Sequence, residues 1–518
     1  MKTILWLQAL VTMLLLTNCN KKNIVKNDNQ HNKTYNIIDF GAINDTSKFS
    51  TKAIQAAIDT CNKNGGGTVV VPAGNYKTLT ILLKSNVTLS VQAGATLWGD
   101  PDMYHYANAS LMIFADSNLH GGLIVAVNAA NISLIGPGNI DGQGGSPSFF
   151  TRPANNHDIR PRIIEFMNCT NVTVQNINLR NAAFWTQYYL GCNGVVLDHI
   201  TVNSFSNSNN DGFDIDSQNV KVTNCTVNSG DDGMCLKSNY ALPCSNVEIS
   251  NCTISSDANG IKLGTGSTTG FKNIYIHDCT VIAPPVSPFL NWSAITAITN
   301  PISDISGLAL EVVDGGVMDS VKIDHINMSG IMNPLSIWLG DRNRQNPDKL
   351  GNYSVLQNVW ISNITAVNVT TRMSGSIIGN NYINKTLKQQ VYQQVKNVNL
   401  SNISFTSPGN STGLDTALTT LEPKEGYPEI FHLTPKIPNT NTLNNAMPAY
   451  GLFIRHVAGI TINNASFNYL NNDLRPVFYL EDVQHLTANG INYQAPTGGG
   501  PLVKAKDTSY IKINFNTK

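Results

Sequence analysis

The sequence predicts an all-β fold, a single-stranded right-handed parallel β-helix (solenoid) with an N-terminal capping helix. A four-residue motif precedes a second short apolar strand. The motif consists of Asn, then Val or Ile, then any residue, and then Val, Ile or Leu. It recurs at Asn171, Asn219, Asn246 and Asn273, with weaker copies at Ser320, Asn358, Asn397 and Gly459. Short strands with β-branched alternation, separated by Asn, Gly and Ser turns, argue against helices. The repeat is also shorter than the roughly 40 residues of a propeller blade.

The first 19 residues predict an export signal. Lys2 precedes a largely apolar run over residues 4–16, which is too short to span a bilayer. Leu16, three residues before Cys19, is typical of a lipoprotein box and predicts Cys19 as the lipidated N-terminus of the mature chain; ordinary secretion is the alternative. Residues 20–34 are rich in Asn and Lys and would form a flexible tether. We therefore expect a protein of the periplasm, or one anchored to the outer membrane through its lipid alone.

Residues 35–518 would form the β-helix domain, and residues 50–62 its capping helix. Apolar residues occur there at helical spacing, and the pattern stops at three consecutive glycines: Ala53, Ile54, Ala57, Ile58 and Cys61, then Gly65, Gly66 and Gly67. An amphipathic helix would cover the first coil, which otherwise exposes strand edges and apolar core.

Two long departures from the repeat, over residues 284–306 and 409–448, are rich in Pro, Asn and Thr. Insertions in solenoids emerge as loops on one face, so we expect these two segments to wall a cleft. After about Gly490 the sequence offers no clear capping signal.

Three cysteines recur at the spacing of the repeat. Cys225, Cys252 and Cys279 are each 27 residues apart. In an exported protein they would suggest disulfides, but the spacing predicts one stacked column of buried free thiols. Cys235 and Cys244 form the one pair that we would test for a disulfide.

Composition limits the partners that the chain can have. It has 34 basic and 34 acidic residues among 518, and charged residues make up 13%. Such a balance provides no field to attract nucleic acid or an anionic membrane. A surface covered by Asn, Ser and Thr suits a carbohydrate partner, and we expect a monomer.

Three segments fall into register and predict a cluster of carboxylates. They begin at Asp211, Asp232 and Asn259, 21 and 27 residues apart, which is about one coil each. Coils stack about 4.8 Å apart, so Asp231, beside Asp232, would complete a set of three carboxylates. One of them should keep its proton near neutral pH while its partners stay anionic.

The acidic motifs resemble those of glycoside hydrolase family 28, the polygalacturonases and rhamnogalacturonan hydrolases. The motifs are Asn210-Asp-Gly-Phe-Asp214 and Ser229-Gly-Asp-Asp232. The segment Asp39-Phe-Gly-Ala42, which leads to Gly65-Gly-Gly-Thr-Val-Val-Val-Pro-Ala-Gly74, is usual at the start of such solenoids. The resemblance covers most of residues 35–480.

The resemblance implies roles for the three aspartates. Asp231 would be the general acid that protonates the glycosidic oxygen, while Asp211 and Asp232 would hold and deprotonate the attacking water. Members of this kind invert the anomeric configuration and need neither metal nor organic cofactor. The alternative is that turn residues bind local backbone amides, and it carries most weight for Asp214 and Asp216.

Two departures from the family pattern bear on the substrate. Many polygalacturonases have a His where this chain has Asn259, and an Arg-Ile-Lys carboxylate clamp where it has Ala309-Leu-Glu311. Unmodified homogalacturonan is therefore an unfavourable substrate. Lys237 and Lys262 project outward by the alternation of their strands. They would supply a displaced clamp or, equally, be solvated lysines.

Three further residues are weaker candidates. Arg342 could reach the cleft from a later coil, although a surface ion pair with Asp341 or Asp348 is the commoner arrangement. Trp185 and Trp292 could stack on a sugar or serve as loop packing.

Together these observations predict an exported hydrolase of a galacturonic-acid-containing pectic polysaccharide or oligosaccharide, of the rhamnogalacturonan type. One alternative is a β-helix polysaccharide lyase, in which the acidic cluster would bind calcium. The other is a non-catalytic solenoid that binds glycans.

Overall fold

The computed structural model describes residues 33–107, 121–150, 160–284, 305–342, 353–384, 388–418 and 446–516. The predicted export signal with Cys19, nearly all of the predicted tether, Trp292, Asp348 and most of the two insertions lie outside these residues. Within the described residues no helix is long and apolar enough to cross a membrane.

The N-terminal part forms the first coils and their cap. Its strands are β1 Thr34–Asn36, β2 Asp45–Phe49, β3 Gly67–Val71, β4 Gly74–Thr78, β5 Ile81–Leu82, β6 Val87–Val91, β7 Ala95–Gly99, β8 Gly122–Val127, β9 Ala130–Ile135 and β10 Asn139–Asp141. Its helices are α1 Thr51–Lys63 and α2 Met103–Ala107, with 3-10 turns at Ile37–Phe40 and Pro147–Phe150.

The middle part carries the longest run of regular coils. Its strands are β11 Arg162–Met167, β12 Thr170–Gln175, β13 Asn178–Arg180, β14 Gln187–Asp198, β15 Thr201–Ser204, β16 Phe213–Thr223, β17 Thr226–Ser229, β18 Met234–Ser238, β19 Cys244–Ser250, β20 Thr253–Ser256, β21 Asn259–Ser267 and β22 Phe271–Ile282.

The C-terminal part continues the solenoid. Its strands are β23 Ser306–Val312, β24 Val317–Ser329, β25 Leu335–Leu339, β26 Val355–Val367, β27 Gly375–Ile378, β28 Asn380–Asn384, β29 Gln389–Gln393, β30 Val395–Ser407, β31 Leu452–Tyr469, β32 Phe478–Tyr493, β33 Val503–Lys506 and β34 Ser509–Phe515, with the short helix α3 at Gly413–Thr416.

The strands confirm the predicted solenoid. Among the described residues, 32 strands join one sheet, and its registered pairs are parallel; β28 and β29 form a separate antiparallel pair. Each long strand pairs with the strand one coil away, as β16 does with β19 and β19 with β22. The alternate residues that point inward form one continuous apolar core along the molecule.

The helix α1 is the predicted cap. Its five apolar residues at helical spacing are buried: Ala53, Ile54, Ala57, Ile58 and Cys61. Gln55 fastens the helix to the edge of the first coils, because its Nε2 donates to the oxygen of Leu82 and its Oε1 accepts from the nitrogen of Leu82, at 3.0 and 2.8 Å.

The first residue of every copy of the repeat has a left-handed backbone. The φ angles of the eight residues run from 53 to 81°: Asn171, Asn219, Asn246, Asn273, Ser320, Asn358, Asn397 and Gly459. Asn and Gly tolerate this region better than other residues do, which explains why Asn recurs where each coil turns.

The eight cysteines among the described residues are buried and free. The strands that follow Cys225, Cys252 and Cys279 pair in register, which confirms the predicted column of thiols. The suggested Cys235–Cys244 disulfide is wrong. The thiol of Cys244 packs in the apolar core, where it donates to the oxygen of Ile215 at 3.5 Å. Cys235, by contrast, points out of the solenoid towards Lys237, with its Sγ 3.1 Å from Nζ.

Candidate active site

Three consecutive coils bring the predicted acidic residues together. Asp211 lies just before β16, Asp231 and Asp232 lie between β17 and β18, and Asn259 begins β21. Backbone hydrogen bonds fix this register, since the nitrogen of Gly212 donates to the oxygen of Asp232 at 2.8 Å. The stacking inferred from the spacing of the motifs is therefore present.

The three carboxylates form one buried cluster. One oxygen each from Asp211, Asp231 and Asp232 lies within 4.8 Å of the other two. All three side chains are buried. Carboxylates that close cannot all be charged without compensation, so their partners decide which one holds a proton.

Asp232 is the best-compensated member of the cluster. Its Oδ1 accepts from Nδ2 of Asn259 at 2.7 Å, and its Oδ2 lies 3.2 Å from Nζ of Lys262. Burial acts to raise the pKa of Asp232, but Lys262, Lys237 and the amide of Asn259 outweigh it, so the pKa lies below its usual value. Asp232 is therefore anionic near neutral pH.

Asp231 has the opposite shift. Its Oδ1 accepts from the backbone nitrogen of Asp232 at 2.9 Å, and its Oδ2 accepts from Nδ2 of Asn209 at 3.4 Å. Burial and the charge of Asp232 raise the pKa of Asp231 well above its usual value. The pKa of Asp211 is also raised, by burial and by Asp214 and Asp231. The pKa of Asp211 is therefore shifted in the same direction as that of Asp231, because Asp211 is buried among other carboxyl groups.

Lys237 joins Asp211 to Asp214. Its Nζ lies 3.4 Å from Oδ2 of Asp211 and 3.1 Å from Oδ1 of Asp214. The ammonium also lies 4.8 Å from the centre of the Trp185 ring. Burial raises the pKa of Asp214 to about 6 despite the opposing effect of Lys237. Only 7% of Lys237 is exposed, so this residue is not a solvated lysine.

Lys262 joins Asp232 to Glu311. Its Nζ lies 3.7 Å from Oε2 of Glu311, in addition to its contact with Asp232. Lys262 is 4% exposed and pairs in register with Ala309, two residues before Glu311. Both lysines considered as a displaced uronate clamp are therefore held by protein carboxylates.

Asp216 supports the backbone and lies outside the cluster. Its Oδ2 accepts from the backbone nitrogens of Asn239 and Tyr240, at 2.7 and 3.0 Å. Burial raises the pKa of Asp216 to about 7 although both N–H groups act in the opposite direction. Asp216 thus binds backbone amides, as the alternative proposed, but those of the next coil rather than local ones, whereas Asp214 forms an ion pair.

Arg342 forms a buried ion pair on a later coil. Its Nε donates to Oδ1 of Asp314 at 2.9 Å, and its guanidinium also donates to the oxygen and the Oγ1 of Thr265, both at 3.0 Å. The surface ion pair with Asp341 that the sequence suggested is wrong, because the described carboxylate that Arg342 binds is that of Asp314; Asp348 lies outside the described residues. Asp341 instead accepts a hydrogen bond from the hydroxyl of Tyr382.

An aromatic and cationic wall lies beside the cluster, and only part of it was predicted. Trp185 stacks on Phe184 with ring centroids 5.1 Å apart. The guanidinium of Arg162 lies 4.8 Å from the Trp185 ring and pairs with Glu165 at 2.9 Å. Trp185 thus serves at least as packing. Of this wall, only Trp185 carried a signal in the sequence.

Comparison with known proteins identifies one family of glycosyl hydrolases. A model of glycosyl hydrolases family 28 matches residues 61–419, a range that includes the three aspartates. The chain is 28% identical over 216 residues to a probable polygalacturonase of Vitis vinifera, covering 39% of this chain and 44% of that protein. It is 26% identical over 251 residues to an exo-poly-alpha-D-galacturonosidase of Dickeya chrysanthemi, covering 39% and 41%.

The fold also matches a solved structure, a family 28 exopolygalacturonase of Yersinia enterocolitica. The TM-score is 0.63 at 19% sequence identity, and the match covers 88% of this chain and 78% of that one. This likeness concerns the fold. In sequence, the chain spans less than half the length of the two relatives that it matches.

Proposed function

Because the chain belongs to glycosyl hydrolases family 28, we propose that it hydrolyses a galacturonic-acid-containing pectic polysaccharide or oligosaccharide of the rhamnogalacturonan type. One observation carries the proposal. Two consecutive carboxylates, Asp231 and Asp232, share one cluster and have pKa values displaced in opposite directions. A general acid beside a general base needs that difference.

Asp231 is the proposed general acid. Its raised pKa keeps the carboxyl protonated, so that it can donate to the glycosidic oxygen as the bond to the anomeric carbon breaks. The proton leaves Asp231 with the departing sugar. Positive charge develops on the ring of the other sugar, and the anionic Asp232 stabilises it.

Asp232 is the proposed base, and Asp211 helps to hold the water. Lys262 and Asn259 keep Asp232 ionised and fix its orientation, so that it can accept a proton from water as the oxygen attacks. Oδ1 of Asp211 is buried and has no hydrogen-bond partner among the described residues. Buried polar atoms are normally paired, and a water proton would satisfy this oxygen.

We propose inversion at the anomeric carbon, as the family resemblance implies. One oxygen from each carboxylate lies within 4.8 Å of those from the other two, whereas the carboxyl groups of typical inverting pairs are roughly 6.5–9.5 Å apart. Stereochemistry must therefore be measured. Proton NMR of the first product formed will show the anomer opposite to that of the substrate if one displacement occurs, and the same anomer if a covalent intermediate forms.

The charges beside the cluster support a backbone of mixed charge. Lys237 and Lys262 are each held between two protein carboxylates. A uronate placed against Lys262 would also lie close to Glu311, and a close like charge is unfavourable. An uncharged sugar meets no such repulsion, so an alternating backbone fits this site better than homogalacturonan does.

Product analysis tests the proposal. Wild type should release oligosaccharides from rhamnogalacturonan fragments and act at least about tenfold more slowly on homogalacturonan fragments of equal length. Asp231→Asn should lower kcat by about 10³-fold or more. A wild type that is inactive on every pectic fragment would refute the hydrolase proposal and favour the glycan-binding alternative.

The lyase alternative makes different predictions. A lyase product carries a double bond that absorbs ultraviolet light, and its calcium is removed by chelator. Here Lys237 and Lys262 already contact oxygens that such a cation would need. We propose that neither metal nor organic cofactor is required, so dialysis against EDTA should leave activity unchanged and the products should lack the new absorbance.

We also propose that the protein is an exported monomer, with Cys19 lipidated. Cys19→Ala should move the protein from the membrane fraction to the soluble fraction of cells without changing its specific activity. Light scattering of the purified protein should give the mass of one chain. Soluble wild type would favour ordinary secretion.

A further inference from the structure

Arg160 fastens the loop that leads into Asp211. Its Nη1 donates to the oxygens of Ala183 and Ser208, at 3.1 and 2.7 Å, and to Oδ1 of Asn207 at 3.1 Å. Its side chain is 5% exposed. A buried guanidinium with several acceptors is strongly oriented, because each N–H lies in one rigid plane.

The same guanidinium fixes the amide of Asn209. Nη2 of Arg160 donates to Oδ1 of Asn209 at 3.1 Å, and on the other side of this amide Nδ2 donates to Oδ2 of Asp231 at 3.4 Å. The amide therefore has an acceptor end tied to a cation and a donor end aimed at a carboxyl group. If it rotated by half a turn, its NH₂ would face the guanidinium, which accepts no hydrogen bond.

We propose that Arg160 and Asn209 are positioning residues for Asp231, acting as a relay in which Arg160 orients Asn209 and Asn209 orients the carboxyl group. This inference rests on the proposed function, because it assumes that Asp231 delivers a proton to the glycosidic oxygen. Neither residue was predicted from the sequence.

The chemical consequence concerns the proton on Asp231. Oδ1 accepts from the backbone of Asp232 and Oδ2 from Asn209, so the two N–H groups set the plane of the carboxyl group. An amide turned the other way would present an oxygen to Asp231 and accept its proton. The proton would then be held away from the sugar.

Several charged groups face Asp231 and remain in place when the relay is broken: Asp211, Asp232, Lys237 and Lys262. The N–H of Asn209 favours the ionised carboxyl, so its removal should raise the pH at which Asp231 loses its proton. The basic limb of the pH–rate profile reports this deprotonation. Damage to the fold alone would not displace that limb.

The test uses Asn209→Gly, with Asn219→Gly as its matched control. Both residues have left-handed backbones, with φ of 56 and 54°, and glycine tolerates that region. The Asn219 variant loses two exposed amide hydrogen bonds on the solenoid wall, one to Asn193 and one from Asn246. Arg160→Gln, with the half-exposed Arg180→Gln as its control, forms the second pair.

With rhamnogalacturonan oligosaccharide as substrate, Asn209→Gly should lower kcat about 10- to 100-fold, leave KM within about twofold, and move the basic limb up by about half a pH unit or more. Arg160→Gln should act in the same direction, and both controls should behave as wild type. A kcat within about threefold of wild type, or a loss with an unmoved basic limb, would overturn the relay. A wild type that is inactive on this substrate would instead refute the proposed function, and the inference about Arg160 and Asn209 would fail with it.

Discussion

At the scale of single residues, the site separates two adjacent carboxyl groups by giving them different partners. Asp232 has a lysine and an amide, and its pKa is lowered. Asp231 has an amide at 3.4 Å and a backbone N–H, and its pKa is raised by burial and by Asp232. The positive charge of the lysines thus stabilises the ionised base, Asp232. The acid, Asp231, keeps its proton because its neighbour is anionic.

Lys262→Met should move the acidic limb of the pH–rate profile to higher pH by about one unit. The lysine favours the ionised form of Asp232, so its removal raises the pKa of the base, and activity then appears only at higher pH. Lys221→Met is the control, because Lys221 is exposed and pairs with Glu248 on the outer wall. An acidic limb that stays in place would show that Asp232 is not the titrating base.

Glu311→Gln should change substrate preference through the charge at Lys262. The substitution keeps the shape of the side chain and frees Lys262 from one of its two carboxylates. We expect the ratio of kcat/KM for an oligogalacturonide to that for its carboxyl-reduced counterpart to rise at least about fivefold over wild type. Glu248→Gln, on the outer wall, should leave this ratio unchanged. An unchanged ratio in Glu311→Gln would separate Glu311 from substrate recognition.

The sequence predicted the carboxylate cluster but not its partners, for a physical reason. Asp211 and Asp232 sit at fixed offsets from strands that stack, so spacing alone places them. Alternation shows that the side chain of Lys262 points away from the core. It cannot show that this side of the strand is covered by other residues, so that the lysine is buried. Arg160 reaches Asn209 from 49 residues away, and contacts between side chains so far apart leave no pattern in a single sequence.

At the scale of elements, the solenoid is held by a ladder of turn asparagines as well as by its core. Nδ2 of Asn246 donates to Oδ1 of Asn219 at 3.0 Å, and Nδ2 of Asn273 donates to Oδ1 of Asn246 at 3.1 Å. Each of these residues also has a left-handed backbone. One side chain therefore serves both the turn of its own coil and the stacking of the next.

Asn246→Ala should lower the free energy of unfolding by about 1–3 kcal/mol, because it loses ladder hydrogen bonds and places a Cβ in the left-handed region. Asn246→Gly should cost less, since it removes the bonds without the backbone strain. Asn228→Ala, in β17, is the control because Asn228 has no positive φ. Urea unfolding measures all three, and equal losses for Ala and Gly would show that strain plays no part.

The elements most faithfully predicted were those with strong local periodicity. The helix α1 and the repeated strands follow from apolar spacing, and both appear where expected. The proposed Cys235–Cys244 pair failed because alternation sends Cys235 outward, whereas Cys244 lies in the core. Two cysteines nine residues apart are near in sequence, yet they point into different environments.

At the scale of the whole molecule, the chain has equal numbers of acidic and basic residues, yet many of its acidic side chains are buried in one wall of the solenoid. The buried acidic residues near the cluster include Asp211, Asp214, Asp216, Asp231, Asp232, Glu165 and Glu311. Buried ion pairs contribute little net stability because desolvation offsets their attraction. Burying these charged groups therefore lowers the stability of the fold, as expected of a site selected for function.

The burial of these carboxyl groups also predicts how the stability of the fold depends on pH. The pKa values of Asp214 and Asp216 are raised from 3.8 to about 6 and about 7. A group whose pKa is higher in the folded state favours folding when protonated, so this contribution is full below about pH 4, falls progressively above it, and is gone once pH has risen through 6 for Asp214 and 7 for Asp216. Groups with lowered pKa values, such as Asp319, act oppositely and lose their contribution only below about pH 4. The midpoint of thermal unfolding should therefore be highest near pH 4 and fall from about pH 4 to 7. Asp216→Asn should flatten that fall, which amounts to a few kcal/mol for a shift of this size, whereas Asp319→Asn should change only the acidic side. A midpoint that rises from pH 4 to 7 would mean that Asp214 and Asp216 are ionised throughout, and that the lysine and backbone N–H groups beside them outweigh their burial.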